Sequence, residues 1–516
     1  MKRFLPFLKK YYPLILIIII VAIAAYLRLY RIQDYFTFLG DEGRDVLIVR
    51  DILHGHLTFL GPRASAADFF TGPIYYYMMA PFLFLANYNP IGPAIMIALL
   101  GTITVFLVYE FGKEWIGANA ALIAAALYAI APLVIQYSRS SWNPNPMPFF
   151  SMVIFYLLYR AIQKPKILWF VFVGILYGIA FQLHYIEVFV GIIITAFVLF
   201  GNLIIDKKNV LVRLARQYIS IFIGFLIGLS PFLAFEARHG FPNTRTVTSF
   251  ILHGNPLAPD LTNLTANQII RDVFFRVFGR LVLYYPQNAY FYTVDKTQLY
   301  LWGVLVVILG IAATAALFTI KNKLAKLLLG LWLFLGIALF GFYHKPIYEY
   351  YFEFMFPLPF LLVGNLLVYL WNRSIVLKIV AIASFVLFVY LNLLGYPFRN
   401  AGNQQYLQVK TISEFVLQKA DNKPYNFALL TLGNSDHAYR YIFETEGKPP
   451  VTILSPQVDP QRKSVTDQLL IVCEDSNCQP EGASIWEVAG FGRAKIIGEW
   501  PVSVLKVYKL EHYKGK

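Results

Sequence analysis

The chain has 516 residues, of which 58% are hydrophobic and only 14% are charged, and its mean hydropathy is +0.58. This composition excludes a soluble globular protein of this length and predicts that most of the chain lies in lipid. The net charge of +15 does not indicate nucleic acid, because Lys and Arg fall in short runs between apolar stretches, as in the cytoplasmic loops of membrane proteins. We therefore expect membrane lipids, and no nucleic acid, as partners.

Apolar stretches long enough to cross about 30 Å of hydrocarbon recur along the chain. They predict a polytopic α-helical membrane protein with about eleven transmembrane helices. The first stretch has a basic flank but no small-residue cleavage site after it, so we interpret it as a retained helix. The fourth is shorter than a straight span requires. The stretches begin near Leu14, Ile91, Ala118, Pro148, Ile167, Val188, Ile219, Leu299, Leu327, Phe352 and Ile375.

The orientation of the chain follows from the basic residues, which precede the first helix and then occupy every second loop. This pattern predicts a cytoplasmic N-terminus and a multi-pass protein of the plasma membrane. The loops at 33–90, 138–147, 184–187, 237–298 and 343–351 are then external, as is the tail. The first of these loops is long, and it ends in an apolar, aromatic segment interrupted by Gly72, Pro73 and Pro81, which we expect to lie at the membrane interface.

The tail differs from the rest of the chain in its composition. YNFALLTL and TDQLLIVC are typical of strands, and QYLQVKTISEFVLQKA has a helical period. We therefore expect a transmembrane domain at residues 1–396 and a small external α/β domain at 397–516. Cys473 and Cys478 form a disulfide in that domain or remain free thiols, since their spacing alone does not establish the bond geometry.

An acidic pair, Asp41-Glu42, follows the first predicted span in the segment FLGDEGRDVLIVRDILHG. A carboxylate that is partly desolvated beside a second acid has a raised pKa and can act as a general base on an acceptor hydroxyl. The alternative is a solvated helix start, with Asp41 as the N-cap and Glu42 in the first turn. Spacing alone favours that alternative.

Two further polar clusters follow the third and fifth predicted spans. Arg139, in IQYSRSSWNPNPMP, is a candidate phosphate ligand, because a guanidinium recognises phosphate through paired donors; the alternative is an arginine that reaches to lipid headgroups. Asn143 in the same segment is a candidate substrate contact. His184 and Glu187 interrupt two apolar runs, where polar groups tend to face a cavity. His184 could bind phosphate, donate to a sugar or ligate a metal with Glu187, although an ordinary turn histidine is more common.

A fourth cluster, FGFYHKPIYEYYFEF, lies before the tenth span and contains His344, Lys345, Tyr348 and Glu349. Lys345 is a candidate phosphate contact, and Tyr348 and Glu349 suit sugar hydroxyls. The alternative is a set of interface anchors. The Lys/Arg topology places all these clusters on one side of the membrane, which a scattered set of surface residues would not do. One site with acids for an acceptor and cations for a phosphate is what a lipid-linked donor requires.

These segments, with AAYLRLYRI before the acidic pair, FTGPIYYYMMAPF after it, and a helix pair ending APLVIQYSRSSWNP, resemble a known family. The chain resembles the bacterial members of glycosyltransferase family 39, the protein mannosyltransferase and aminoarabinose transferase group, within the membrane-embedded C-type glycosyltransferase superfamily. The resemblance is good over residues 14 to 200 and diffuse to about 396, and it does not extend to the tail.

The resemblance implies a C-type glycosyltransferase fold and an inverting transfer from a polyprenyl-phosphate sugar to a hydroxyl of an envelope glycolipid, a lipid-linked glycan or a protein Ser/Thr. Asp41 is then the base or acceptor-positioning carboxylate, and Glu42 supports it. Arg139 falls where relatives bring a cation to the lipid phosphate, and Arg44 is a further candidate. Relatives often carry a charged residue before the proline of the interface segment, whereas this chain has Thr71-Gly72-Pro73, so phosphate binding depends more on Arg139, Lys345 or His184.

Some relatives bind a divalent metal near the site, but the sequence contains no convincing ligand set for one. The alternative function from another class is a transporter or flippase of lipid-linked sugars, which predicts inverted repeats and ionisable residues at mid-depth. We find no repeat, and the ionisable residues cluster at one predicted surface. A structural envelope protein, in which the external domain is the working part, is a second alternative.

Overall fold

The computed structural model describes residues 4–64, 69–205, 209–253, 264–284, 296–343, 345–475, 478–513 and 515. The fold is mainly helical and divides into two compact units. The first unit is Met1–Tyr30, Thr58–Met78 and Ile95–Ala401, and the second is Arg31–Leu57, Met79–Ala94 and Gly402–Lys516. The first half of the long loop at 33–90 therefore belongs to the same unit as the C-terminal tail. The predicted domain boundary at residues 396 and 397 stays a prediction.

The helices of the described residues run as follows: α1 Phe4–Leu29, α2 Ile32–Tyr35, α3 Gly40–Leu53, α4 Ile74–Leu85, α5 Ile91–Ile116, α6 Ala118–Ile130, α7 Pro132–Tyr137, α8 Met147–Gln163, α9 Ile167–Phe181, α10 Val188–Ile205, α11 Val210–Gly228, α12 Ser230–His239, α13 Pro242–His253, α14 Ala266–Phe278, α15 Lys296–Ala316, α16 Lys323–Ala338, α17 Pro357–Trp371, α18 Ile375–Leu394, α19 Gln405–Ala420, α20 His437–Thr445 and α21 Trp486–Ala489. Short 3₁₀ turns occur at Tyr185–Glu187, Leu317–Thr319, Leu339–Phe342, Glu349–Met355 and Pro397–Arg399.

Seven helical segments of the described chain are long and apolar enough to cross a membrane, and the bent pair Glu349–Met355 and Pro357–Trp371 makes an eighth. These eight correspond to eight of the predicted stretches. The other three predicted stretches are α6, α8 and α9, which have 13, 17 and 15 residues and are short for a straight span. The expected polytopic helical membrane fold is confirmed.

The interface segment of the first loop is a continuous helix, α4, with Pro81 inside it. The prediction that Pro81 interrupts this segment is therefore wrong. A proline inside a helix removes one backbone hydrogen bond. Tyr75, Tyr76 and Met79 on the same helix are buried, and the free energy gained by burying their apolar surface offsets that loss.

Helices α9 and α11 pack closely through glycines spaced four residues apart on each helix. A Cβ atom on Gly174 would lie 2.0 Å from the carbonyl oxygen of Ile221, and one on Gly224 would lie 2.1 Å from that of Val171. Gly178 and Gly228 meet the facing helix in the same way. Such small residues let two backbones approach in lipid, where the hydrophobic effect does not drive helices together.

The second unit contains a four-stranded sheet in the order β1-β2-β4-β3. Its strands are β1 Asn426–Leu430, β2 Gln468–Cys473, β3 Ala494–Val502 and β4 Leu505–His512. β1 and β2 pair in parallel, and the other neighbours are antiparallel. The two predicted strands and the predicted helix are found as β1, β2 and α19, so the expected small α/β domain is present.

Cys473, at the end of β2, forms a disulfide with Cys478, and their Cα atoms are 5.9 Å apart. Cys473 itself is buried in the hydrophobic core of the second unit. Of the two alternatives that the sequence left open, the structure has the disulfide.

We expect Gly224→Ala to destabilise the protein by about 1–3 kcal/mol, because the added methyl group would overlap the Val171 carbonyl of α9. Thermal unfolding of the detergent-solubilised protein, followed by size-exclusion chromatography, measures the change. Gly330→Ala is the matched control, since its nearest neighbour is a leucine methyl group at 3.4 Å. Equal melting temperatures for the two variants would contradict this packing.

Candidate active site

The acidic pair lies in the first turn of α3, whose N-cap is Leu39. The backbone N–H of Leu39 donates to a carboxylate oxygen of Glu42 at 3.0 Å, so the Glu42 side chain caps the N-terminus of the helix. Asp41 is therefore not the N-cap, as the helix-start alternative supposed, because the helix begins at Gly40. The Asp41 side chain is 60% exposed.

Glu42 differs from Asp41 in its environment. The pKa of Glu42 is raised to about 7, chiefly by burial and also by the neighbouring carboxylates of Asp41 and Asp45, while the Leu39 N–H acts in the opposite direction. A carboxyl group that titrates near neutral pH is suited to acid-base chemistry.

Arg44 lies one turn after the pair and is bound to carboxylates. Its guanidinium contacts Asp41 at 2.9 Å and the buried Asp45 at 2.8 Å. A lipid phosphate at Arg44 would have to compete with these two acids. The observed geometry makes Arg44 a residue that holds Asp41 in place.

Arg139 is buried, and its guanidinium faces the C-terminal end of α1. It donates to the carbonyl oxygens of Leu27 at 2.8 Å, Arg28 at 3.2 Å and Tyr30 at 2.9 Å, and it stacks over the ring of Phe398 at 4.9 Å. The last carbonyl groups of a helix have no partner within the helix. Arg139 supplies one from a buried position, and its role as a phosphate ligand stays a prediction.

Asn143, His184 and Glu187 are also buried. The Asn143 amide donates to the carbonyl oxygen of Leu183, which ties the segment after α7 to the turn after α9. Burial lowers the pKa of His184, in that turn, to about 3, so its imidazole is neutral near pH 7 and a weak phosphate ligand. One carboxylate oxygen of Glu187 has no hydrogen-bond partner among the described residues.

The fourth cluster is described from Lys345 onward, and His344 lies outside the described residues. Lys345 is partly buried, and Tyr348 is 53% exposed and stacks on Tyr350 with ring centres 5.7 Å apart. Glu349 forms ion pairs with Arg280 and, at 3.7 Å, with Arg276. Glu349 therefore joins this segment to the region of α14, a role that its sequence pattern did not indicate.

Sequence reasoning missed Glu353, which is 1% exposed and has no hydrogen-bond partner for either carboxylate oxygen within the described ranges. With Tyr137, Ser138 and Asn145 it lines a cavity of about 10 Å³, enough for one water molecule. The sequence signal that could have identified Glu353 is its position as an acid inside the apolar run EYYFEFMF. Nearby, the hydroxyl groups of Tyr185, Tyr343 and Tyr351 form another cluster, with contacts of 3.0 to 3.5 Å.

The structure groups the predicted site residues in two sets. Asp41, Glu42 and Arg44 lie on one helix of the second unit, and the seven from Arg139 to Glu349 lie in the first unit. The convergence of both sets on one substrate stays a prediction. In the part of the chain that the structure describes, no three His, Cys, Asp or Glu side chains are placed to hold a metal ion, so His184 and Glu187 do not form such a site with a third ligand.

A family model described as "Dolichyl-phosphate-mannose-protein mannosyltransferase" matches residues 71–235. YycA of Bacillus subtilis (strain 168), provisionally named a mannosyltransferase, is 32% identical over 134 residues, which are 26% of this chain and 19% of YycA. YkcB of the same organism, with the same provisional activity, is 31% identical over 117 residues, or 22% of this chain and 16% of YkcB. The matched segments thus span less than a fifth of either relative.

The family model and the two relatives match only part of this chain, so its likeness to glycosyltransferase family 39 remains a resemblance. The whole fold is similar to ArnT from Cupriavidus metallidurans, with a TM-score of 0.64 at 12% identity over 95% of this chain and 97% of that one. It is also similar to the oligosaccharyltransferase AglB from Archaeoglobus fulgidus, with a TM-score of 0.53 at 15% identity over 90% of this chain and 70% of AglB. The predicted C-type glycosyltransferase fold is confirmed.

We expect Arg139→Ala to destabilise the protein by about 3 kcal/mol, since the carbonyl groups at the end of α1 would lose charged hydrogen bonds in a buried position. Thermal unfolding measures this loss, and Arg373→Ala, at an exposed position, is the control. If stability is unchanged while the KM for a lipid-phosphate donor rises, Arg139 binds phosphate as the sequence predicts, and the helix-capping interpretation is wrong.

Proposed function

We propose that this protein is an inverting glycosyltransferase that moves a sugar from a polyprenyl-phosphate donor to an acceptor hydroxyl at the outer face of the plasma membrane. The observation that carries the proposal is the acidic pair in the first turn of α3. One member of the pair is exposed to an acceptor, and the other has a pKa of about 7. The match of residues 71–235 to a mannosyltransferase family model supports this reaction class.

The proposed reaction is a single displacement at the anomeric carbon. The acceptor oxygen attacks that carbon, the bond from the carbon to the phosphate oxygen breaks on the opposite face, and polyprenyl phosphate leaves with the bonding electrons. The acceptor proton passes to Asp41, so the anomeric configuration inverts and all atoms are accounted for. A deprotonated Glu42 adds a second negative charge beside Asp41, and this charge attracts the proton that the acceptor gives up.

The proposed donor is supported by two structural relatives. ArnT is described as bound to undecaprenyl phosphate, and AglB as bound to a dolichol-phosphate and an inhibitory peptide. The four predicted phosphate ligands are Arg44, Arg139, His184 and Lys345, and of these His184 is neutral near pH 7. We propose Lys345 as the first contact to test, since an ammonium group on a flexible stem exchanges partners readily.

The proposed orientation has a cytoplasmic N-terminus and an external C-terminal domain, and it rests on the distribution of Lys and Arg among the loops. The acceptor then approaches from outside the cell. We propose three acceptor classes: an envelope glycolipid, a lipid-linked glycan and a protein Ser/Thr. The chemistry requires no nucleotide, because the phosphate ester of the donor is the leaving group.

The enzymatic proposal predicts that Asp41→Asn lowers sugar transfer by about 10²–10⁴-fold, since the amide cannot accept the acceptor proton. The assay incubates purified protein with a panel of radiolabelled polyprenyl-phosphate sugars and membrane extract, and follows donor consumption. Asp51→Asn, an exposed acid on the same helix, is the matched control and should retain activity. A wild-type protein that consumes no donor, but moves it across a vesicle bilayer, would support a transporter instead.

The pKa of Glu42 predicts a pH dependence of transfer. Below about pH 7 the raised pKa keeps Glu42 protonated, so the negative charge of Glu42 beside Asp41 is absent. We therefore expect kcat/KM to rise as the pH increases through about 7. In Glu42→Gln this rise should be lost. Asp51→Asn should keep it. An identical pH profile for Glu42→Gln and the wild type would assign the titration to another group.

A further inference from the structure

The helix that carries the acidic pair packs against a segment of the tail, residues 434–444, within the second unit. The backbone N–H of Gly40 donates to the side-chain oxygen of Asn434 at 2.8 Å. At the other end of the contact, Arg50 forms an ion pair with Glu444 at 2.7 Å. The N-terminal turn of α3 is therefore held by a side chain from a position almost four hundred residues later in the chain.

Two glycines make this approach possible, and they flank the acids in the sequence Gly40-Asp41-Glu42-Gly43. A Cβ atom on Gly40 would lie 2.0 Å from the hydroxyl oxygen of Ser435, and one on Gly43 would lie 2.3 Å from the backbone nitrogen of Ala438. No side chain fits at either position without moving the tail segment. The surface of α3 that contacts the tail segment therefore includes the residues on both sides of the acidic pair.

The amide of Asn434 has a defined orientation. Its nitrogen donates to both carboxylate oxygens of Glu474, at 3.0 and 3.1 Å, and its oxygen accepts from Gly40 and, at 2.9 Å, from the backbone N–H of Ser435. An ionised carboxylate only accepts hydrogen bonds, so Glu474 fixes which end of the amide faces Gly40. Tyr439 donates its hydroxyl to Glu474 at 3.1 Å and completes the arrangement.

Glu474 is itself placed by the sheet. It follows Cys473, the last residue of β2, which is buried and disulfide-bonded to Cys478. The backbone N–H of Glu474 also donates to the carbonyl oxygen of Leu430 in the neighbouring strand, at 2.9 Å. A rigid strand end therefore orients Glu474, which orients Asn434, which holds the first turn of α3.

We propose that Asn434, oriented by Glu474, is a positioning residue for Asp41 and Glu42, so that the tail domain takes part in catalysis by fixing the acidic pair. This inference rests on the proposed function. The physical reason is that the first N–H groups of a helix need partners from outside the helix. Without Asn434 the first turn can fray, and a displacement of about 1 Å at a reacting group costs on the order of 100-fold in rate.

The experiment compares Asn434→Ala with Gln418→Ala, an exposed amide on α19 of the same unit, in the purified full-length protein. In Asn434→Ala we expect kcat to fall about 10- to 100-fold with an unchanged KM for the donor, because the donor is not the group that moves. Hydrogen-exchange mass spectrometry should show faster exchange at residues 39–45. Gln418→Ala should change neither quantity.

A conservative pair at position 474 separates positioning from general destabilisation. Glu474→Gln keeps an acceptor oxygen for the Asn434 amide and should retain most of the activity, whereas Glu474→Ala should behave like Asn434→Ala. Wild-type kcat and wild-type exchange at residues 39–45 in Asn434→Ala would overturn the inference, as would equal losses in Glu474→Gln and Glu474→Ala.

The two proposals fail in different ways. If the wild type consumes no donor, the proposed function fails, and the exchange measurement alone decides whether Asn434 orders the helix. If the wild type is active and Asn434→Ala retains its full kcat, the inference fails and the proposed function stands.

Discussion

Close approach of helix backbones at glycine is the constraint on which both compact units depend. In lipid the hydrophobic effect does not bring helices together, so packing relies on small residues that let backbones meet. Gly174 and Gly224 do this between α9 and α11, and Gly364 meets the Ala120 carbonyl of α6 in the same way. In the second unit, Gly40 and Gly43 place the helix of the acidic pair against the tail. Close packing at glycine thus stabilises the transmembrane helices and also positions the helix that carries the candidate catalytic residues.

Charged groups in this protein are mostly committed to structure. Arg139 binds the carbonyl groups at the end of α1, Glu349 pairs with Arg280, and Arg44 bridges Asp41 and Asp45. A buried charge is costly unless it is paired, so the apolar surroundings select such arrangements. Burial raises the pKa of Glu42 and so disfavours its charged form, even though its carboxylate accepts a hydrogen bond from Leu39. Groups with shifted pKa values cluster at functional sites, which is consistent with the proposed role of this acidic pair.

Most of the architecture was predictable, and the reasons are physical. The length and charge of a segment are local properties, so the helices, the interface segment and the tail strands β1 and β2 could be predicted. Three of the predicted spans, α6, α8 and α9, are shorter than straight spans require. Pro81 misled the prediction, because tertiary burial of its helix outweighed one lost hydrogen bond. Glu353 was missed because one acid in an apolar run does not reveal what surrounds it.

The sequence by itself determined the class of the protein, the helical membrane fold, the likeness to family 39 and the acidic pair as the place to look, since these depend on composition, periodicity and a contiguous motif. Only the tertiary structure decided the partners of each charged side chain, which depend on residues far apart in the chain. It assigned Arg139 to the end of α1 and Glu349 to two arginines, and it paired the cysteines. It also joined Gly40 to Asn434, and no local pattern encodes a contact between two such distant positions.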